Sequence, residues 1–200
     1  MDIKAEVDIL KAKGTQLVVD VGANTGQTAV ALRQAGYGGR IISFEPIGHS
    51  FEKLSVRADK DPLWTAYNMA LGSAESTVSM GISGNLVSSS LLPARDEFVS
   101  IHSPIGRTHC EDVRVARLDQ ILSPQHVTEF TSDEPVHLKI DTQGYEKFVL
   151  EGATGILEHI ETLRLEASVT PVYDGEEPMT KLIEFVDSIG YTLIEVWPGW

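Results

Sequence analysis

Five residues near the start of this sequence are spaced to hold a small ligand against the end of a β-strand. Asp20, Gly22, Asn24 and Gly26 fall within Leu-Val-Val-Asp-Val-Gly-Ala-Asn-Thr-Gly at 17–26, and Glu45 lies nineteen residues beyond Gly26. Glycines at both ends of Gly22-Ala23-Asn24-Thr25-Gly26 let the backbone turn tightly and approach a bound molecule. Turns that bind dinucleotides read Gly-x-Gly-x-x-Gly, whose middle glycine clears room for a pyrophosphate. Here that position is Asn24, so a pyrophosphate would meet a side chain. Asp20 would also repel a phosphate. Glu45, with Pro46 after it, ends a second strand, where α/β cofactor domains place the acceptor for two ribose hydroxyls. The set asks for a cofactor with a cationic part and a ribose but no phosphate, and S-adenosylmethionine fits. The alternatives are a plain glycine-packed βα turn and a nicotinamide site, the latter opposed by Asn24 and Asp20.

A second group sits in Val136-His137-Leu138-Lys139-Ile140-Asp141. Strand alternation puts Val136, Leu138 and Ile140 on one face and His137, Lys139 and Asp141 on the other. Asp141 ends the strand, and Thr142-Gln143-Gly144 turns the chain toward a helix starting near Tyr145-Glu146. Ligands in open α/β sheets bind beyond the carboxyl ends of strands, where Asp141 stands. In the next strand, Thr162 to Ser168, Arg164, Glu166 and Ser168 share a face. If the two strands are parallel neighbours, Lys139 and Glu166 meet, which also suits a scaffold pair because a buried charge needs a partner. His137 and His49 read more simply as structural histidines.

These residues need a sheet to carry them. Leu17, Val18, Val19 and Val21 form an apolar run suited to a strand buried on both faces, and Gln27–Ala35 is helix-forming. Arg40–Phe44 reads as the second strand, 47–59 as a helix, and Trp64–Leu71 as a third strand with Asn68 and Ala70 near its end, where an amide and a small side chain can bracket an adenine ring, an Asn at a strand end being as often a turn former. Val78, Met80 and Ile82 alternate with polar residues, the pattern of a half-exposed antiparallel strand. The polar run over 83–112, rich in serine at 88–90, reads as an inserted loop or lid over the acceptor side, with disorder as the alternative. A strand begins at Val113, a short helix at Asp119, the last helix spans 178–190, and Tyr191–Trp197 reads as the last strand. Residues 1–14 form a helical cap covering one edge of the sheet.

Two hundred residues, 42% hydrophobic and 22% charged, suit a single domain. No apolar run approaches the roughly 20 residues that span a bilayer, and the N-terminus lacks the form of a signal peptide, so a cytoplasmic protein is expected. The single cysteine, Cys110, excludes an internal disulfide or a cysteine-based zinc cluster. Sixteen basic against 29 acidic residues leave a formal charge of −13. Such a field disfavours nucleic acid and admits neutral or cationic small molecules. No metal site is expected.

The segments VVDVGANTGQ, SFEP, NMALG and LKIDTQGYEKFVLEGA, followed by RLEASVTPVY, resemble the FkbM family of S-adenosylmethionine-dependent methyltransferases. The resemblance runs from about residue 16 to the end and is most specific at KIDTQGYE. It implies a doubly wound α/β sheet of class I methyltransferase type, mostly parallel and Rossmann-like, with helices on both faces and a reversed last strand. The family usually continues past Pro198-Gly199 into one more strand. Here the sequence stops at Trp200, leaving two readings: a chain cut short, or a sheet without its reversed strand. By resemblance, Asp20, Gly22, Asn24 and Gly26 hold the methionine portion, Glu45 the ribose, and Asn68 to Leu71 lie near the adenine. The implied activity is O-methylation of a hydroxyl on a sugar, polyketide or related metabolite. Asp141 is then the first candidate for general base or acceptor anchor, Lys139 and Glu166 tune or orient it, and Glu146 caps its helix or reaches the acceptor. A cofactor-binding or interaction protein on a methyltransferase scaffold is the alternative from another class.

Overall fold

The computed structural model describes residues 2–84, 88–101, 107–122 and 134–198. Its centre is β1 (Leu17–Val21), every residue of which is buried. On its two sides β1 pairs in parallel with β2 (Arg40–Phe44) and β7 (Val136–Ile140). Outside these lie β3 (Trp64–Tyr67) and β8 (Ile160–Leu165), giving the order β3-β2-β1-β7-β8, parallel throughout. A parallel sheet requires cover on both faces, which explains the unbroken apolar runs.

The period of two divides the core. Leu17, Val19 and Val21 point with Phe44, Leu138 and Ile140 into the cluster closed by α6 (Glu146–Glu151), a following 3-10 helix and α7 (Met179–Ser188). Val18, Ile41 and Trp64 face the other way, against α1 (Ile3–Ala12), α2 (Gln27–Gln34) and α3 (Gly48–Ala58). Full burial of an aliphatic side chain of this kind contributes roughly 1.5–3 kcal/mol. The chain is thus a doubly wound, Rossmann-like α/β fold.

Four elements differ from the sequence reading. Helix α1 packs on a sheet face rather than an edge: its buried Glu6 pairs with Arg164 of β8 at 3.1 Å and with His137 of β7 at 3.3 Å. The strand expected over Trp64–Leu71 breaks in two. The Asn68 side-chain amide donates to the Glu45 and Pro46 carbonyls, at 2.9 and 3.0 Å, and turns the chain into β4 (Ala70–Leu71), which joins a second sheet. A side-chain amide bonding backbone in this way competes with the strand ladder.

That second sheet, β4-β6-β5, also corrects the loop expected over 83–112. β6 (Arg107–Ala116) begins six residues before Val113 and pairs antiparallel with β5 (Ser76–Ser83). Asp96–Ile101 form the short helix α4, while 85–87 and 102–106 lie outside the described residues. Finally, Tyr191–Pro198 forms no strand, because a strand exists only where a neighbour completes its ladder. Among the described residues the main sheet has five strands and no reversed one. The short helix α5 spans Leu118–Ile121.

Candidate active site

A cavity of about 470 Å³ opens at the carboxyl ends of β1, β2 and β7. The turn after β1 forms its floor. The Gly22 and Ala23 N–H groups both donate to the Phe44 carbonyl at 3.0 Å, fastening the turn to the end of β2. Asn24 adopts a left-handed conformation at φ 49°, and its N–H donates to Glu45 Oε2 at 2.8 Å. Glu45 Oε1 accepts from the Ile47 N–H at 2.9 Å. A carboxylate has about four lone-pair sites, so two remain for a ligand. Burial pushes the Glu45 carboxyl up to about 7, against the pull of the Ile47 and Asn24 N–H groups.

Beside this turn, Asp20 and Lys139 sit opposite each other in register on β1 and β7. Lys139 Nζ lies 2.8 Å from Asp20 Oδ1 and 3.4 Å from Asp141 Oδ2. Burial works against the ammonium, but the two carboxylates outweigh it and hold its pKa above the usual lysine value. Asp141 is raised by burial and lowered by Lys139, with hydrogen bonds from Glu166 and Gln143 adding to the lowering, and the balance falls below the usual carboxylate range. Glu166 stands at the cavity rim in reach of solvent. Enclosure by protein atoms, its hydrogen bond with Asp141 and that carboxylate's charge all push it upward. The two carboxyls are thus pushed in opposite directions, Asp141 down and Glu166 up.

The expected site residues separate into those that line the cavity and those behind its walls. Gly22, Ala23, Asn24, Glu45, Pro46, Ala70 and Leu71 line it, as do Lys139, Asp141 and Glu166. Asp20 is fully buried behind the wall, paired with Lys139, and its charge also adds to the upward push on Glu45. Gly26 packs rather than contacts: a Cβ there would come within 2.7 Å of the Trp64 ring. Asn68 braces the β2 end from outside. Glu146, also behind the wall, accepts hydrogen bonds from the Thr142 N–H at 2.9 Å, the Thr142 hydroxyl at 3.1 Å and the Gly144 N–H at 3.2 Å, so it shapes the turn after β7. His137 bonds Thr162 and Glu6 at the far end of β7, and His49 is exposed on α3.

The sequence reading missed Gln143 and Tyr173. Gln143 was visible as a turn residue after Asp141, whereas nothing local marks Tyr173, whose hydroxyl reaches the Ser88 carbonyl across the fold at 2.8 Å. Among the described residues no group of three or more His, Cys, Asp or Glu side chains is arranged for a metal ion, and no helix is long and apolar enough to cross a membrane.

An open α/β sheet with a polar cavity at its switch point defines a class of cofactor-dependent folds. The chain belongs to the FkbM methyltransferases: the model of the methyltransferase FkbM domain matches residues 20–193. A crystal structure of a candidate methyltransferase from Thermobifida fusca YX is similar at a TM-score of 0.48 and 10% identity, over 93% of this chain and 56% of that one. This chain thus spans little more than half the length of that protein. No curated protein sequence matches it.

Proposed function

We propose that this methyltransferase takes S-adenosylmethionine as its cofactor and methylates a hydroxyl of a small molecule. The observation that carries the reading is the donor set of the cavity. Among the described residues its lining holds one cation, Lys139, already committed to Asp20 and Asp141, so no uncommitted cation faces the cavity to balance a phosphate. Glu45 keeps acceptor capacity for hydroxyls, and Met69, Ala70 and Leu71 offer an apolar wall for a flat base. These features fit a phosphate-free nucleoside cofactor.

When bound, that cofactor supplies a methyl group on a cationic sulfur, which departs as a neutral thioether. The chain's part is to hold and deprotonate the acceptor. Glu45 accepts from the ribose hydroxyls. Asp141, kept ionised by Lys139, accepts the acceptor's hydroxyl proton as the new C–O bond forms. A positioned base is worth about 10² to 10⁴ in rate, and orientation roughly 7 to 11 kcal/mol of barrier. The acidic charge of the chain disfavours polyanions, so the partner is taken as a small hydroxylated molecule rather than nucleic acid or an anionic membrane.

Calorimetry with S-adenosylhomocysteine and with NAD tests the cofactor, and labelled methyl uptake across a panel of hydroxylated metabolites tests the reaction. Binding of S-adenosylhomocysteine alone is expected. Heat from NAD with none from S-adenosylhomocysteine would overturn the reading, and binding without methyl uptake by any acceptor would favour a non-catalytic scaffold.

A further inference from the structure

Gln143 occupies an unusual place. Its backbone is left-handed at φ 56°, a conformation that costs a non-glycine residue roughly 1–2 kcal/mol, and such strain persists where the surroundings enforce it. The enforcement is visible: the Ser90 hydroxyl donates to the Gln143 carbonyl at 2.7 Å. The side chain then reaches back over the cavity. Its Nε2 donates to Asp141 Oδ1 at 3.3 Å and to Glu166 Oε2, so both amide protons go to carboxyls of two different strands' ends. Its Oε1 lies 3.3 Å from the Tyr173 hydroxyl, whose single proton is shared with the Ser88 carbonyl. The reverse amide orientation would turn Oε1 toward the Asp141 carboxylate, which electrostatics disfavours.

Tyr173 and Ser88 belong to segments that are themselves joined. Ala94 bridges Tyr173, the Arg95 N–H donates to the Val172 carbonyl at 3.0 Å, and the Asp174 N–H donates to the Pro93 carbonyl at 2.8 Å. Gln143 is therefore the point at which the carboxyl pair meets the chain that covers it.

We propose that Gln143 is the positioning residue of the acceptor end: its one amide clamps Asp141 and Glu166 side by side and ties that pair to the covering segments through Tyr173. Only the name "acceptor end" rests on the function proposed above; the clamp itself does not. The groups facing the pair are Lys139 of β7 with Asp20 of β1 behind it, Arg164 of β8, Glu146 of α6 and Tyr173 of the covering segment. Without the clamp, two acidic groups beside one shared lysine are free to turn apart and each to find water.

The test is a side-chain carboxyl NMR titration of the full chain, with Asp141 and Glu166 assigned from D141N and E166Q. In the unaltered protein the two midpoints are expected to stand apart, Asp141 low and Glu166 high. Gln143→Leu should bring them closer by about one pH unit or more, a tenfold change, while S-adenosylhomocysteine affinity stays within about threefold. Tyr173→Phe should give a smaller change in the same direction. Unaltered midpoints in a folded Gln143→Leu protein would overturn the clamp, even if its melting temperature fell. Should that variant not fold, Gln143→Asn decides in its place: asparagine tolerates the left-handed backbone but is too short to bridge both carboxyls. The titration needs neither acceptor nor turnover. Shifted midpoints in a chain that transfers no methyl group would leave the clamp standing and sink the proposed activity; methyl transfer with unshifted midpoints would do the reverse.

Discussion

Gly22 and Asp141 meet backbone to backbone: a Cβ built on Gly22 would lie 1.9 Å from the Asp141 carbonyl oxygen. The turn that floors the cavity and the strand that carries the candidate base are thereby pressed together, and Gly22 at φ 76° is demanded by that contact as much as by its turn. The Asp141 N–H in turn donates to the Val21 carbonyl at 3.0 Å.

Gly22→Ala should therefore destabilise the fold by at least about 2 kcal/mol, since both the left-handed backbone and the contact must yield. Gly38→Ala is the control. Nothing lies within 4 Å of its Cβ position, so a change below about 1 kcal/mol is expected. Urea unfolding of the two variants makes the comparison, and equal losses would refute the account of Gly22.

Lys139→Met strands the Asp20 carboxylate in a fully buried position. Breaking one side of a buried pair typically costs about 3 to 5 kcal/mol. Adding Asp20→Asn removes the orphaned charge and should recover a large part of that loss. A double variant no more stable than Lys139→Met would show that the pair is not what Lys139 contributes.

Glu45 gives stability a pH dependence of definite sign. Its carboxyl is raised from 4.5 to about 7 by burial, so the folded protein holds the proton more tightly than the unfolded chain. The contribution is present below about 4.5 and is lost as pH rises to about 7, roughly 3 kcal/mol at most. Glu6 and Asp141, both lowered, contribute above the unfolded carboxylate value and lose it as pH falls, outside that window. Glu146 and Glu166, raised by burial to about 6 and about 8, act with the same sign, so urea midpoints from pH 4.5 to 7 should fall in the unaltered protein and fall less steeply in Glu45→Gln; parallel profiles would remove Glu45 as a cause. If Glu45 accepts from ribose hydroxyls, S-adenosylhomocysteine affinity should rise over the same range, because an ionised acceptor bonds more strongly.

Asp141→Asn separates chemistry from scaffold. As general base, its loss should lower turnover by about 10² or more and leave much of the S-adenosylhomocysteine affinity intact. Near-normal turnover per folded molecule would take Asp141 off the list of catalytic candidates.

The floor of the cavity was legible because its signals are local. A buried strand, a glycine turn and a carboxylate at the end of the following strand each follow from residues within about ten positions of one another, and parallel pairing then brings Glu45 to Asn24. Period-two alternation likewise put Lys139 and Asp141 on one face. What alternation leaves open is which neighbour each charge meets. Lys139 turned to Asp20, its register partner on β1, and Glu166 turned to Gln143 and Asp141, because the partners are set by ladder registry between strands and by the turn between them, not by period within one strand. The same holds for Glu146, whose helix-start position left a cap and an acceptor contact both open until the turn before it engaged its carboxylate.

The tertiary structure alone decided the strand break at Asn68, the early start of β6 and the absence of a strand over Tyr191–Pro198, since hydrogen-bond partners distant in sequence determine whether an extended segment becomes part of a sheet. Tyr173 over Gln143 is the extreme case: a contact between loops is set by where the sheets leave them, and no periodicity encodes it.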